Sequence, residues 1–258
     1  MRAYCNNGDF TVYTIYGFHA VMAYLPSGLV NTIYLDQGRQ DARAEGLMAL
    51  AETHQVAINQ VPLQQLEEMA GSCPHQGVVG ACERLPVMKE SALADLIADC
   101  NEPPLLLILD QVQDPHNLGA CLRTAAASGC HAVIVPKDNA ATLNATVMKV
   151  ASGAVGKVPF VQVTNLVRVM KQLQDAGVWF YGTAESGAGD IYQQDFTGPM
   201  AWVMGGEEKG LRRLTQDNCD VLCHIPTSDT LSCLNVSVAT GVCLFETRRQ
   251  RLLQQEKN

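Results

Sequence analysis

Residues 105–129, LLLILDQVQDPHNLGACLRTAAASG, predict a buried strand, a turn and a helix in that order. Residues 105–109 are all apolar, which is typical of a strand in a parallel sheet that is covered on both faces. Asp114-Pro115 marks a turn after this strand. Helical spacing follows over residues 117–128, and Asn117 is a suitable N-cap residue for that helix. A strand leading through a short turn into a helix indicates an α/β fold.

The same alternation of strand and helix continues to residue 250. The pattern predicts strands at 132–135, 160–163, 178–183, 202–204 and 221–225, and helices at 143–151, 166–176 and 234–250. Alternation of this kind implies a parallel sheet with helices on its faces. Ligands of such sheets bind at the carboxyl ends of the strands, so residues that follow strands are the candidates for a site.

The first 82 residues predict a separate, smaller α/β unit. Helices are expected at 15–25, 41–54 and 61–69, and strands at 30–35, 56–58 and 76–82. Residues 83–103 are punctuated by Pro86 and by Pro103-Pro104, with one helix expected at 91–100, and are predicted to be a linker. We therefore expect three parts: residues 1–82, the linker 83–103 and the larger domain 104–258.

Composition indicates a soluble protein that is not exported. Of the 258 residues, 47% are hydrophobic and 17% are charged, enough for a sizeable core. No apolar run approaches the ~20 residues that span a membrane, and the N-terminus has no apolar signal segment. We therefore expect a cytoplasmic location and reduced cysteines. Cys219, Cys223 and His224 lack the spacing of a zinc site, so no metal is expected.

The net charge of −8 argues against broad, non-specific binding of nucleic acid, which requires neutralisation of many phosphates. Basic residues nevertheless cluster locally, at Lys209, Arg212 and Arg213 and again at Arg248, Arg249 and Arg251. Each cluster is compatible with a solvated helix face or with contact to RNA, and the sequence leaves both interpretations open.

Three polar clusters follow predicted strands. In the first, Asn117 can simply cap its helix, and Arg123 lies among apolar neighbours, where a buried charge would need a partner. The second is GGEEKG at 205–210, predicted to open a helix, where glycines allow close approach of a ligand or simply form a turn. The third runs from Ile225-Pro226 to Asn235 and Ser237, and these last two can also be plain caps.

Together the three clusters resemble the motifs of the SpoU (TrmH-type) RNA ribose 2'-O-methyltransferases, in the same order and with similar spacing. IYGFHAV at 15–21 and HQGVV at 75–79 are similar to the N-terminal domain of the branch that methylates a guanosine of 23S rRNA. The similarity covers nearly the whole chain. It implies a trefoil-knotted, S-adenosylmethionine-dependent methyltransferase domain at 104–258 and an RNA-binding domain at 1–82 that resembles ribosomal protein L30e.

The resemblance also implies partners and site residues. The substrate would be 23S rRNA, at a guanosine of the peptidyl-transferase P loop, or a large-subunit assembly intermediate. The family is homodimeric, with the site near the dimer interface. The positions that match catalytic residues are Asn117, Arg123, Glu207 and Asn235. The positions that match methyl-donor contacts are Gly205, Ile225 and Leu234. Arg123 is expected to hold the phosphate beside the target ribose, because an arginine keeps its proton and is a poor general base.

Three positions depart from the family pattern: Cys233 stands where a serine is usual, and Glu208 and Asp229 stand where glycines are usual. Two alternatives remain, and the three departures support the second of them. One is a tRNA guanosine 2'-O-methyltransferase, and the other is an RNA-binding or ribosome-assembly protein with a weakened catalytic site. A dinucleotide-dependent oxidoreductase is disfavoured because no strand is followed by the glycine fingerprint of that class.

Overall fold

The computed structural model describes residues 13–71, 73–82, 85–185, 189–207, 209–228 and 233–256. The strands, in chain order, are β1 (Tyr13–Tyr16), β2 (Thr32–Asp36), β3 (Ala57–Val61), β4 (Val78–Cys82), β5 (Val87–Met88), β6 (Leu105–Asp110), β7 (Ala132–Pro136), β8 (Phe160–Val163), β9 (Trp179–Thr183), β10 (Gly189–Asp190), β11 (Met200–Gly205) and β12 (Val221–His224). The helices are α1 (Phe18–Tyr24), α2 (Ala42–Thr53), α3 (Leu63–Ala70), α4 (Leu93–Ala98), α5 (Pro115–Ser128), α6 (Ala145–Ala151), α7 (Leu166–Asp175), α8 (Arg213–Gln216) and α9 (Val236–Gln255).

The described residues form two compact units. One contains the residues up to Pro86 together with Leu143–Lys157, and the other contains Val87–Thr142 and the chain from Val158 onward. The first unit has a four-stranded sheet in the order β1-β4-β2-β3. In this sheet β4 is antiparallel to β1 and β2, and β2 is parallel to β3. The unit is thus a small α/β body, as predicted.

Helix α6 belongs to this first unit. The buried hydroxyl of Tyr24, in α1, donates a hydrogen bond to the main-chain oxygen of Met148 in α6 at 2.9 Å. Burial raises the pKa of Tyr24 to about 12, so the hydroxyl keeps its proton and remains a donor. Gly153 follows α6 so closely against α1 that a Cβ there would lie 2.9 Å from the main-chain oxygen of Ala23. These contacts fix α6 against α1.

The second unit has an eight-stranded sheet in the order β10-β12-β9-β11-β6-β7-β8-β5, and every pairing in it is parallel. Strands β6, β7 and β11 are buried along nearly their whole length, which explains their continuous apolar sequences. Helices α5 and α9 pack against each other, and the buried indole of Trp202 in β11 donates to Thr247 of α9 at 2.9 Å. The predicted parallel sheet is confirmed.

Several predicted boundaries were wrong. The helix predicted at 15–25 begins only at Phe18, because Ile15 and Tyr16 pair with β4 and Gly17 takes a positive φ of 88° between the two elements. The final helix starts at Val236 rather than at residue 234. The helix expected at 91–100 is confirmed as α4, and its Leu93 is buried in the core of the second unit; the segment 83–103 also contains β5, which was not expected.

The short edge strands β5 and β10 were not predicted, because two residues carry too little pattern to identify a strand. The trefoil knot and the likeness to L30e stay predictions. Within the described residues, none of the helices combines the length and apolar character that crossing a membrane requires.

Candidate active site

The candidate residues lie at one edge of the parallel sheet. Gly205 ends β11 and is the register partner of Asp110, which ends β6. Ile225 follows β12, which is two strands from β11 across β9. With neighbouring strands about 4.8 Å apart, Gly205 and Ile225 are roughly 10 Å from each other along this edge. All three polar clusters therefore follow carboxyl ends of strands in one sheet, as predicted.

Asn117, Glu207 and Asn235 form a closed hydrogen-bonded triangle. The Nδ2 of Asn117 donates to Oε1 of Glu207 at 2.6 Å, and the Nδ2 of Asn235 donates to the same oxygen at 2.6 Å. Asn235 Nδ2 also lies 3.1 Å from Oδ1 of Asn117. One residue from each of the three clusters thus meets at a single carboxylate.

Asn117 does not cap its helix. The N-cap of α5 is Asp114, whose carboxylate accepts from the N–H of His116 at 3.0 Å, and Pro115 occupies the first helical position. The prediction that Asn117 is the N-cap was wrong because an earlier Asp-Pro pair satisfies the same requirement. The largely buried carboxamide of Asn117 is therefore free to bind Glu207.

Asn235 both caps a helix and contacts the other two clusters. It is the N-cap of α9, and its Oδ1 accepts from the N–H and the hydroxyl of Ser237 at 2.9 and 2.6 Å. Because Oδ1 is used by the helix, Nδ2 is directed to Glu207 and Asn117. The capping interaction thereby orients the side chain within the site.

A tight loop after β11 carries Glu207. A Cβ on Gly205 would lie 2.2 Å from the carbonyl carbon of Gly210, and one on Gly206 would lie 2.6 Å from the main-chain oxygen of Gln111. Gly206 and Gly210 also form an isolated bridge. The prediction that this cluster directly opens a helix was wrong, because α8 starts only at Arg213. The glycines fold the loop back upon itself.

Sequence reasoning missed Asp110, the last residue of β6. Its side chain is fully buried, and both of its oxygens bind Arg212, at 2.6 to 3.1 Å. A charged residue at the end of a run of five apolar residues was the available signal. The sequence places Arg212 in a basic cluster with Lys209 and Arg213, and the structure gives it this specific partner.

Arg123 does not join the triangle within its own chain. It lies six residues after Asn117 on α5, which places it about 120° around the helix and about 9 Å along it. Its side chain is exposed, and among the described residues none forms a hydrogen bond or an ion pair with it. The expected internal partner for Arg123 is therefore not found there. No partner is required, since the charge is solvated.

The residues predicted to hold a methyl donor have suitable surfaces. Gly205 presents backbone without a side chain, and Ile225 and Leu234 are half-buried apolar residues. Half-buried backbone beside apolar side chains fits an adenosyl group, which combines a flat ring with hydrogen-bonding edges. The assignment of these three residues to S-adenosylmethionine stays a prediction.

Two arginines of the second basic cluster, Arg249 and Arg251, bind groups of the protein itself. Arg249 pairs with Glu246 at 2.7 Å, which lowers the pKa of that carboxyl group. Arg251 donates to four main-chain oxygens, those of Pro103, Pro104, Phe196 and Gly198. For these two residues the interpretation as structural groups of α9 is favoured over contact with RNA.

The nine described cysteines are free thiols. Cys121 lies in α5, 3.5 Å from the hydroxyl of Thr240, and burial raises the pKa of its thiol to about 11. It is therefore a neutral packing group and not a nucleophile. Cys233, which replaces the usual serine, is exposed. The other two departures, Glu208 and Asp229, lie outside the described residues.

Comparison with known proteins identifies related families and structures. The sequence model of the SpoU rRNA Methylase family matches residues 104–245. A second family model, for RNA 2'-O ribose methyltransferase substrate binding, matches residues 14–88. The two matched segments together leave out residues 1–13, residues 89–103, which include α4, and the C-terminal turns of α9.

Two curated relatives carry the same description, 23S rRNA (guanosine-2'-O-)-methyltransferase RlmB. The one from Pseudomonas putida is 50% identical over 92% of this chain and 96% of its own length. The one from Escherichia coli is 48% identical over 92% of this chain and 98% of its own length. Among solved structures, the SpoU methyltransferase AviRb from Streptomyces viridochromogenes, in complex with AdoMet, has a TM-score of 0.77 at 24% identity, covering 94% of this chain and 91% of that one.

Proposed function

This chain belongs to the SpoU rRNA methylase family, and we propose that it transfers a methyl group from S-adenosylmethionine to the ribose 2'-oxygen of a guanosine in 23S rRNA. The observation that carries this proposal is the triangle of Asn117, Glu207 and Asn235, which joins all three family motifs at the carboxyl edge of the sheet. Relatives of about 50% identity along nearly the full chain, described by that activity, support it.

We further propose that the target guanosine lies in the peptidyl-transferase P loop, and that the substrate is the free rRNA or a large-subunit assembly intermediate. The match of residues 14–88 to a substrate-binding family supports a role for the first part of the chain, predicted as 1–82, in holding RNA. Residues 104–258 would carry the chemistry. Such a substrate would place the protein's action in the cytoplasm.

S-adenosylmethionine, when bound, supplies a methyl group activated by its sulfonium centre. The residues that we assign to holding it are Gly205, Ile225 and Leu234. Their contribution is to orient the donor, because in-line transfer requires the 2'-oxygen and the methyl carbon to be aligned at close range. Half-buried apolar side chains at two of these positions also help to exclude water from the transfer.

Glu207 is the central polar group of the proposed site. Both amide donors bind its Oε1, which leaves Oε2 without a partner among the described residues. A carboxylate oxygen held in this way can accept a hydrogen bond from an N–H of the guanine edge. We therefore assign Glu207 to orienting the target guanosine, with Asn117 and Asn235 as the residues that hold the carboxylate in place.

We assign Arg123 to the phosphate beside the target ribose and to the negative charge that develops on the 2'-oxygen. Its exposure on α5 leaves the guanidinium free to bind RNA. Since it lies away from Glu207 in its own chain, it would act at the triangle of a second subunit. The site would then be completed by association of two chains.

A homodimer is supported by an exposed apolar stripe on α9. Val238, Phe245 and Leu252 recur every seven residues and are 53%, 49% and 46% exposed. A seven-residue spacing keeps these three side chains on one face of the helix, and exposed apolar residues that recur on one face support an association surface. The side chain of Arg123 is also exposed, and its helix α5 packs against α9.

The test is transfer of labelled methyl from S-adenosylmethionine to unmodified 23S rRNA, with tRNA in parallel, followed by mapping of the modified ribose. The Glu207→Gln variant is the control that shows whether the label depends on this site. Label on a P-loop guanosine, lost in the variant, is the expected result. Label on tRNA alone would overturn the substrate, and donor binding without any label would indicate a weakened site.

A further inference from the structure

Asp110 is a fully buried carboxylate at the carboxyl end of β6, and both of its oxygens bind one residue. Its Oδ1 accepts from Nε and Nη2 of Arg212 at 2.8 and 2.6 Å. Its Oδ2 accepts from the main-chain N–H of Arg212 at 3.1 Å. The backbone and the side chain of Arg212 are thus held by the same group.

The same aspartate is also tied to the other end of the loop that carries Glu207. Gly205 is its register partner in the pairing of β11 with β6. Asp110 therefore contacts both residues that flank the loop: Gly205 through the sheet pairing and Arg212 through its carboxylate. The next residue, Gln111, has a positive φ of 64°, and its main-chain oxygen lies against Gly206. The loop is held at its start, at its end and along its side by residues 110 and 111.

A buried carboxylate without a partner is costly, so the loop conformation that brings Arg212 to Asp110 is strongly favoured over alternatives. Arginine suits this role because its planar fork and its own backbone N–H can bind both carboxylate oxygens in one geometry. Neighbouring Arg213 offers a direct comparison. Its side chain is 94% exposed, and its ion pair with Asp217 is long, at 3.8 Å.

We propose that Asp110 and Arg212 are positioning residues for methyl transfer, which hold loop 206–211 so that Glu207 meets the amides of Asn117 and Asn235. In this proposal both residues act through the loop and not by contact with RNA or the methyl donor. The inference rests on the proposed function, because it gives Glu207 a task in turnover. A displacement of about 1 Å at a catalytic group can lower turnover by roughly 100-fold, so a loop anchor of this kind affects kcat directly.

The experiment compares Asp110→Asn, Arg212→Gln, the double variant and the matched control Arg213→Gln, in the full-length protein. Turnover and KM for 23S rRNA are measured at saturating S-adenosylmethionine, and hydrogen exchange of residues 206–211 is measured without RNA. Each single variant at position 110 or 212 should lower kcat by at least about 10-fold, with KM for RNA changed by less than about twofold. Exchange in the loop should rise in parallel.

The double variant should be no worse than the more affected single variant, because both remove the same interaction. Arg212→Lys should recover part of kcat, and Arg213→Gln should leave kcat and loop exchange unchanged. Additive losses, an effect on KM alone, or an equal loss in Arg213→Gln would overturn the proposal. If Asp110→Asn does not fold, the kcat values and loop exchange of Arg212→Gln and Arg212→Lys decide whether the anchor acts on the loop, because position 212 is half-exposed and tolerates substitution better.

Failure of the proposed function is recognised separately. If the wild-type protein methylates no RNA, the proposed function fails, and the loop exchange of the same variants still tests whether Asp110 and Arg212 hold residues 206–211. Unchanged exchange in these variants would then overturn the inference as well.

Discussion

The Nδ2 of Asn235 lies 2.6 Å from Oε1 of Glu207 and 3.1 Å from Oδ1 of Asn117, so one amide group touches both of the other motifs. The same residue caps α9 through its Oδ1. The helix cap and the site geometry therefore depend on different atoms of one carboxamide group, and substitutions can separate the two contributions.

Asn235→Ser should retain the N-cap of α9 and lose the hydrogen bonds from Nδ2 to Glu207 and Asn117. A serine accepts the N–H bond that an N-cap requires, so the free energy of unfolding should stay within about 0.5 kcal/mol of the wild type. The lost Nδ2 donor should lower kcat by at least about 10-fold. The control is Asn165→Ala, which removes the cap of α7, should cost about 1 kcal/mol of stability and should leave kcat unchanged. Equal turnover in Asn235→Ser and wild type would contradict the assignment.

Arg123→Ala should abolish most methyl transfer and spare binding of the methyl donor. Since its side chain is exposed, its removal should leave the melting temperature nearly unchanged. We expect kcat to fall by roughly 100-fold or more. Turnover assays and calorimetric titration of S-adenosylmethionine check the two parts. Lys171→Ala, which removes an exposed positive charge from α7, is the control for a general loss of attraction to RNA.

A mixture of Arg123→Ala and Asn235→Ala chains tests where the arginine acts. If Arg123 completes the site of a second subunit, mixed dimers contain one site with both residues intact, and the mixture regains activity that neither variant has. If the arginine acts within its own chain, every site lacks one of the two residues. A mixture as inactive as its components would therefore exclude action between subunits.

Phe245→Asp should dissociate the proposed homodimer. The side chain is 49% exposed in the middle of the α9 stripe, and a carboxylate there would have to be buried without a partner on association. Sedimentation velocity should show a shift to the monomer, with loss of methyl transfer. Leu214→Asp changes a leucine that is 69% exposed outside the stripe and should leave the oligomeric state intact. A wild-type protein that sediments as a monomer would refute the stripe as a dimer surface.

Cys233 should be the first of the described cysteines to react with N-ethylmaleimide in the native protein. It is exposed, whereas burial raises the pKa of Cys130 and Cys219 to about 12, which leaves few reactive thiolates near pH 8. Because Cys233 is two residues from Asn235, its modification should inactivate the enzyme. Cys233→Ser should remain active and become resistant to the reagent. Peptide mapping by mass spectrometry identifies the modified position, and inactivation of Cys233→Ser at the wild-type rate would contradict the prediction.

Gly205→Ala should destabilise the protein by about 1–3 kcal/mol, because the added Cβ would lie 2.2 Å from the backbone of Gly210 and the loop would have to move. Gly198→Ala is the matched control, since its Cβ would have no neighbour within 4 Å. Chemical unfolding of both variants measures the difference. A Gly205→Ala variant as stable as the control would show that the loop adjusts freely.

Sequence patterns predicted six of the eight strands in the sheet of the second unit, because these strands are largely apolar and have at least four residues, and missed β5 and β10, which have two residues each. They failed where local signals compete. Asp114 and Asn117 are both good caps, and only the choice of Asp114 leaves Asn117 for Glu207. Ile15 and Tyr16 continue an apolar run into α1, and their place in β1 depends on pairing with β4, which lies more than 60 residues later.

The sequence by itself determined the parallel sheet, the family resemblance and the residue types of the site, since these depend on local pattern and on motifs that are contiguous in the chain. Only the tertiary structure decided which side chains meet. The site brings together Asn117, Glu207 and Asn235 because the strands before them end at one edge of the sheet. Arg123 points away from them because it lies about 120° around α5 from Asn117. Asp110 and Arg212 are about 100 residues apart in the sequence. No local sequence pattern predicts their contact, because it forms only when the chain folds.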